Sequence, residues 1–249
     1  MTKRFSSFLR PFIVVLHPNY EALTHFMATL PKRFQNDEGR MIYEGRNQLR
    51  EFQMDGKTFI AKYFPHPNIL NRLVYGTLRK SKARRSYEYA LLLRSIGIDS
   101  PAPVGYYTER WLGLLFGRSY YVCLRSSLPY SYNDIINHSL PPQEEDDSLR
   151  AIARTAAHLH EAGMVHNDFS QGNILFGRGN DGHIRVELID LNRIRFHKVS
   201  IEEGCRNFAD RLPTTDRQRR IVAEEYAKAR QCEASKCLNL LTKAYEDKA

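Results

Sequence analysis

Two short segments constrain this chain more than any other part of it. The first reads His166-Asn167-Asp168-Phe169-Ser170-Gln171-Gly172-Asn173-Ile174-Leu175, and the second is the apolar run Val186-Glu187-Leu188-Ile189 that ends on Asp190. Asn180-Asp181-Gly182 lies between them and makes a turn, because these residue types tolerate tight backbone geometry, so the first segment reads as a tight loop whose following strand neighbours the strand of the second. The pattern is an Asp and an Asn five positions apart on one tight loop, with a further Asp seventeen residues beyond at the end of a strand. Asp and Asn also stabilise ordinary turns through their own side chains. The ordered pair of segments, behind a helix ending in Leu159-His160-Glu161-Ala162-Gly163, argues for more than a turn.

The rest of the chain supplies a scaffold. Tyr20, Leu23, Met27 and Leu30 recur at helical spacing, which predicts an amphipathic helix stopped near Pro31. From Met41 to Phe64 the period shortens, with Gly45 and the pair Asp55-Gly56 as turns, and three antiparallel strands are expected, the third over Lys57–Phe64 with Lys62 inside it. A helix is expected from Ser81 to Ile96, with Ala83, Tyr87, Ala90, Leu91 and Leu92 as its apolar side and Gly97 as its stop. Strands follow over Val104–Thr108 and Tyr120–Leu124. Pro141–Asp147 reads as a surface loop, and Ser148 as the N-cap of a helix running to Ala162. The resulting division is an N-terminal extension with an amphipathic helix over 1–39, a β-rich lobe over 40–125 and a helical lobe over 126–249. There is no internal repeat.

Composition bounds the surroundings. The chain has 249 residues, 42% hydrophobic and 26% charged, as expected of a globular protein with a real core. Its +9 charge is uneven: residues 1–100 hold 17 Lys+Arg against 8 Asp+Glu, and residues 101–249 hold 20 of each. A field of that kind attracts anionic partners, although it also solubilises a surface. Arg79, Lys80, Lys82, Arg84 and Arg85 crowd the start of the 81–96 helix, where they oppose the helix dipole, so anion recognition is expected of them, with a solvated face as the alternative. Cys123, Cys205, Cys232 and Cys237 fit neither a disulfide framework nor a zinc pattern. Phe12–Leu16, bracketed by Pro11 and Pro18, is too short for a signal peptide or membrane span, and a packed N-terminal segment is expected there. Phe5, Phe8, Leu9 and Phe12 beside Lys3, Arg4 and Arg10 offer peripheral membrane contact as the alternative.

The 166–175 segment resembles the kinase catalytic loop H-x-D-x-x-x-x-N, and Asp190-Leu191-Asn192 stands where kinases carry D-F-G. Phe59-Ile60-Ala61-Lys62 resembles the V-A-I-K strand. Taken with Glu88, Ile189-Asp190-Leu191-Asn192-Arg193, and Gly97-Ile98 followed by Pro101 and Pro103, the sequence resembles the bacterial lipopolysaccharide core kinases over residues 40 to 230. That resemblance implies an α+β, bilobal protein-kinase-like fold with a small β-rich N-lobe and a mostly helical C-lobe. It implies ATP and Mg2+, with Lys62 on the α/β-phosphates and held by Glu88, Asn173 and Asp190 on the metal, and Asp168 receiving the acceptor proton. Gly45 would cover the phosphates, and Tyr121, Val122, Cys123 and Leu124 would line the adenine. The implied acceptor is a lipid-linked core glycan of the Kdo–lipid A type at the cytoplasmic face of the inner membrane, near an anionic surface, with neither nucleic acid nor an obligatory protein partner.

The chain departs from conventional protein kinases. It lacks G-x-G-x-x-G and A-P-E, carries Asn167 for the Arg of H-R-D, and has only 59 residues after Asp190, too few for an activation segment and a peptide platform. Aminoglycoside- and choline-type kinases share the loop and are the enzyme alternative. A non-catalytic pseudokinase module is the alternative from another class, and charge alone suggests nucleic-acid binding.

Overall fold

The computed structural model describes residues 3–6, 12–65, 80–111, 115–209, 212 and 215–247. Pro11, Pro67, Arg79 and the N-terminal Phe8, Leu9 and Arg10 lie outside them. The chain divides into two compact units, Met1–Leu92 with Pro101–Arg125, and Leu93–Ser100 with Ser126–Ala249.

The first unit is built on an antiparallel sheet. Its strands are β1 (Lys3–Ser6), β2 (Phe12–Leu16), β3 (Arg40–Glu44), β4 (Gln48–Met54), β5 (Lys57–Phe64), β6 (Pro103–Trp111) and β7 (Leu115–Leu124). They lie in the order β1-β2-β6-β7-β5-β4-β3. Strand residues alternate between faces, and that alternation makes two cores. Val14, Leu16, Phe52, Phe59, Tyr107, Tyr120 and Val122 face helix α1 (Thr24–Gln35), while Val15, Phe64 and Tyr106 pack with Ala83 and Tyr87 of helix α2 (Lys82–Ser95). The stretch 12–35 is therefore woven into this unit, β2 as a partner of β6 and α1 as cover for one face.

Helix α1 corrects the expectation at Pro31. Residues Pro18–Leu23 form a 3-10 turn with Tyr20 out of helical geometry, and the α-helix begins at Thr24 and runs through Pro31 to Gln35. An internal proline costs about 3 kcal/mol. Phe26, Met27, Leu30 and Phe34 are all buried, and each such burial contributes about 1.5–3 kcal/mol, so the apolar stripe wins. Phe26 and Phe34 pack on Phe52 at ring separations of 5.2 and 6.3 Å. In α2 the buried leucine is Leu93, and Leu92, expected on the apolar side, is 37% exposed. Asp55 and Gly56 turn between β4 and β5 with φ of 50° and 69°, as the hairpin requires.

The second unit carries β8 (Tyr130–Ser131), α3 (Tyr132–Ile136), α4 (Pro142–Glu161), β9 (Met164–His166), β10 (Ile174–Arg178), β11 (Ile184–Leu188), β12 (Ile194–Phe196), α5 (Ile201–Ala209), α6 (Asp216–Ala229) and α7 (Ala234–Glu246). The expected loop Pro141–Asp147 is instead the first part of α4. Pro142 opens the helix and Glu144 and Glu145 lie in its first turn, where a missing N–H costs nothing and negative charge meets the helix dipole. Ser148 is fully buried within the helix and caps nothing. Gly97 ends α2 with φ 79°, and the Leu188 N–H donates to the Asp99 carbonyl at 3.0 Å, which ties residues 93–100 to β11.

Candidate active site

Strand pairing in the second unit brings two loops together. β9 pairs with β12, placing Ile194 opposite His166, and β10 pairs with β11, placing Ile174 opposite Leu188. The loops 167–173 and 189–193 therefore both connect the same two strand pairs, which makes them neighbours. The Ile189 N–H donates to the Asn173 carbonyl at 3.0 Å. His166 completes the brace: its Nδ1 accepts from the Asp168 N–H at 3.2 Å, so Nε2–H donates to the Ile189 carbonyl at 2.9 Å. Burial lowers the His166 pKa, which keeps the ring neutral and holds that tautomer.

Behind His166 runs a buried polar chain. Asn207 on α5 donates to the His166 carbonyl at 3.1 Å, and its Oδ1 accepts from His160 Nε2 at 3.2 Å. His160 Nδ1 accepts from the Tyr226 hydroxyl at 2.8 Å, whose oxygen in turn accepts from Arg230 at 2.8 Å. Each donor meets an acceptor along the whole run. Burial lowers the His160 pKa to about 4. A Cβ at Gly204 would collide with the Tyr226 hydroxyl and His160 Nδ1, so the network requires glycine there. Sequence reading gave His160 no role, and residues 41 to 66 positions apart offer no local signal.

Three side chains sit on this braced frame. Asn173 Nδ2 donates to the Asp168 carbonyl at 2.9 Å and to Ser170 Oγ at 3.1 Å. Its amide is thereby oriented, and Oδ1 takes no hydrogen bond from the described residues. Asp190 is left-handed, with φ 57° and ψ 43°, a strained geometry that Asp tolerates better than most residues. Its Oδ1 accepts from Asn192 Nδ2 at 2.5 Å. Asp168 is part-exposed and faces Arg193, with Oδ2 at 3.3 Å from a guanidinium nitrogen. Carboxylate and amide oxygens of this kind suit a hard cation such as Mg2+. Among the described residues no group of three or more His, Cys, Asp or Glu could hold a metal, so a cation at Asn173 and Asp190 would need further oxygens, such as those of a nucleotide's phosphates.

The first unit holds the remaining candidates. Lys62 on β5 lies opposite Leu49 and Tyr121, with its ammonium 5.5 Å from the Phe64 ring centroid. Glu88 does not pair with Lys62 as expected. Its carboxylate accepts from Lys80 at 2.6 Å and from Arg84 at 2.7 Å. Burial pushes its pKa up, and these two cations overcome that and leave it lowered. The same contacts revise the reading of the basic cluster, because Arg84 is four residues before Glu88 on one helix face and is locally satisfied. Lys82 lies 5.9 Å from the Phe64 centroid. Gly45 sits in the β3–β4 turn, its N–H donating to Asn47 at 3.1 Å, and an added Cβ would come within 2.6 Å of the Tyr43 hydroxyl. Of Tyr121, Val122, Cys123 and Leu124, Val122 is fully buried in the core beneath α1, so its side chain offers a ligand no surface.

The chain matches the model of the "Lipopolysaccharide kinase (Kdo/WaaP) family" over residues 69–209, a span that contains Glu88, Asp168, Asn173 and Asp190 but not Lys62 or Gly45. No curated protein matches it. Among solved structures it is similar to "WaaP in complex with acyl carrier protein", with a TM-score of 0.64 at 16% identity, covering 94% of this chain and 98% of that one. At that identity the likeness establishes the fold, a kinase-like architecture with a small sheet-rich N-terminal part and a helical C-terminal part. Among the described residues no helix is long and apolar enough to cross a membrane. The family match spans more than half of the chain and contains both braced loops, and on that ground the chain belongs to the lipopolysaccharide kinase (Kdo/WaaP) family, a family of phosphotransferases in lipopolysaccharide biosynthesis.

Proposed function

We propose that the chain transfers the γ-phosphate of ATP to a hydroxyl of a lipopolysaccharide inner-core sugar, Kdo or heptose. The observation that carries this reading is the mutual bracing of loops 167–173 and 189–193, which fixes Asp168, Asn173 and Asp190 in one frame. Asp168 takes the proton of the acceptor hydroxyl as its oxygen bonds to the γ-phosphorus. The bond from that phosphorus to the β–γ bridging oxygen breaks, and ADP leaves. Asn173 Oδ1 and Asp190 would hold Mg2+, which would supply neutralisation of phosphate charge. Lys62 orients the α/β-phosphates, with the Gly45 turn and Tyr121, Cys123 and Leu124, but not the buried Val122 side chain, as further nucleotide contacts.

The acceptor in this reading is a lipid-linked core glycan, met at the cytoplasmic face of the inner membrane, where the basic surplus of residues 1–100 favours an anionic surface. This reading includes no obligatory protein partner; because the similar solved structure is a complex with acyl carrier protein, purified protein is assayed both alone and with acyl carrier protein added. Mg2+-dependent ATP turnover is measured with a Kdo-containing lipid acceptor, wild type against Asp168→Ala. Glycan phosphorylation that needs Mg2+ and disappears in the variant is the expected result. Equal inactivity of both proteins across inner-core acceptors would remove the reading.

A further inference from the structure

The Asp168 carboxylate pairs with the guanidinium of Arg193, Oδ2 at 3.3 Å from a terminal nitrogen. Both ends of this contact are held by backbone. Asp168 is fixed through its N–H to His166 and its carbonyl to Asn173. Arg193 closes the short 3-10 turn that starts at Asp190, and the turn is anchored by buried Leu191 and Asn192 and by Ile194 paired to His166. The Arg193 side chain is itself 44% exposed, and its remaining N–H groups meet no partner among the described residues. An exposed pair like this adds little to stability, so a structural strut does not account for it. A second arginine from the same segment also reaches the loop: with its amide oriented to satisfy both groups, Asn167 Oδ1 accepts from Arg195 at 3.0 and 3.3 Å. Asn167 stands where protein kinases carry Arg, and here cationic contact to the loop comes from β12 and the turn before it.

We propose that Arg193 is a positioning residue for phosphotransfer, holding Asp168 Oδ2 so that Oδ1 is presented to the acceptor hydroxyl. Through the Asp190–Arg193 turn it links the metal-side loop to the orientation of the base. A carboxylate left to rotate by about 1 Å from its working position loses on the order of 10²-fold in rate. Lysine supplies the charge without the planar fork, so Arg193→Lys recovers only part of that loss.

The inference rests on the phosphotransfer reading, and its test separates the two. Single-turnover rates and KM for ATP are measured for wild type, Arg193→Ala, Arg193→Lys, Asp168→Ala and the Asp168→Ala/Arg193→Ala double variant. The same series is run on ATP hydrolysis by water, which needs no glycan. The expected result is a rate about 10²-fold lower in Arg193→Ala, with partial recovery in Arg193→Lys and unchanged KM for ATP and thermal midpoint. On the Asp168→Ala background the second substitution should cost nothing further. An unaltered rate in Arg193→Ala overturns the inference, as does an equal loss with or without Asp168. A wild type inert toward every glycan defeats the functional reading, while the hydrolysis series still decides the role of Arg193.

Discussion

The two units hold their candidate residues by different means. In the second, Asp168, Asn173 and Asp190 are carried on loops whose strands pair with each other, and backbone groups bond loop to loop. In the first, Lys62 and Glu88 stand on a strand and a helix, and what each meets is decided by long, flexible side chains. Glu88 shows the consequence, for its carboxylate is taken by Lys80 and Arg84. Geometry written into backbone pairing is robust, whereas geometry that depends on side-chain partners can be redirected by a nearby cation.

That contrast predicts a ranked set of effects. Asp168→Ala and Asp190→Ala should be the most damaging, each lowering turnover by about 10²–10⁴-fold with the fold intact by circular dichroism. Near-normal turnover in either would mean that the braced loops are not the reaction centre. Lys62→Ala should come next and act on nucleotide positioning, raising KM for ATP by about 10- to 150-fold, since a single charge-assisted contact contributes about 1.5–3 kcal/mol. A fall in kcat alone would move Lys62 from binding to chemistry.

The buried histidine makes the brace sensitive to acid. His160 has its pKa lowered by burial from 6.5 to about 4, so the folded state binds fewer protons than the unfolded chain between those values. Its contribution is complete above pH 6.5 and is lost as pH falls toward 4, by about 3 kcal/mol in all. Urea denaturation of wild type and His160→Gln at pH 7 and pH 4.5 checks this, and the variant should show a smaller drop between the two. An equal drop would place the acid sensitivity elsewhere. The smallest effect is expected at Glu88. With its carboxylate paired to the part-exposed Lys80 and Arg84, Glu88→Gln should change turnover by no more than about twofold, and a loss like that of Lys62→Ala would restore the expected Lys62–Glu88 pairing.

The site was legible where spacing is local and opaque where it is not. Asp168 and Asn173 share one loop, and a turn joins the strand after Asn173 to the strand before Asp190, so sequence order alone places them together. The ion pair of Arg193 with Asp168 and the chain from Asn207 through His160 to Tyr226 join elements 25 to 66 residues apart, and nothing in the intervening residues announces them. The fold divides in the same way. Asp55-Gly56 and the strand Lys57–Phe64 were readable from turn chemistry and alternation, but Phe12–Leu16 pairs with a strand far along the chain, Leu16 with Gly105 and Phe12 with Glu109, so its identity as a strand lies outside its own neighbourhood. Pro31 and Pro142 were misread for one reason: proline ends or opens a helix according to what the neighbouring residues bury, and burial is a tertiary quantity.

The central claim is that the braced Asp168 and Asp190 carry phosphoryl transfer. It is tested most directly with the near-isosteric variants Asp168→Asn and Asp190→Asn, which keep the shape of both loops. Phosphorylated glycan is quantified by mass spectrometry after a single turnover with ATP and Mg2+. Product from wild type, with a rate at least about 10²-fold lower in each variant, is the result predicted. A single-turnover rate in Asp168→Asn equal to that of wild type would contradict it.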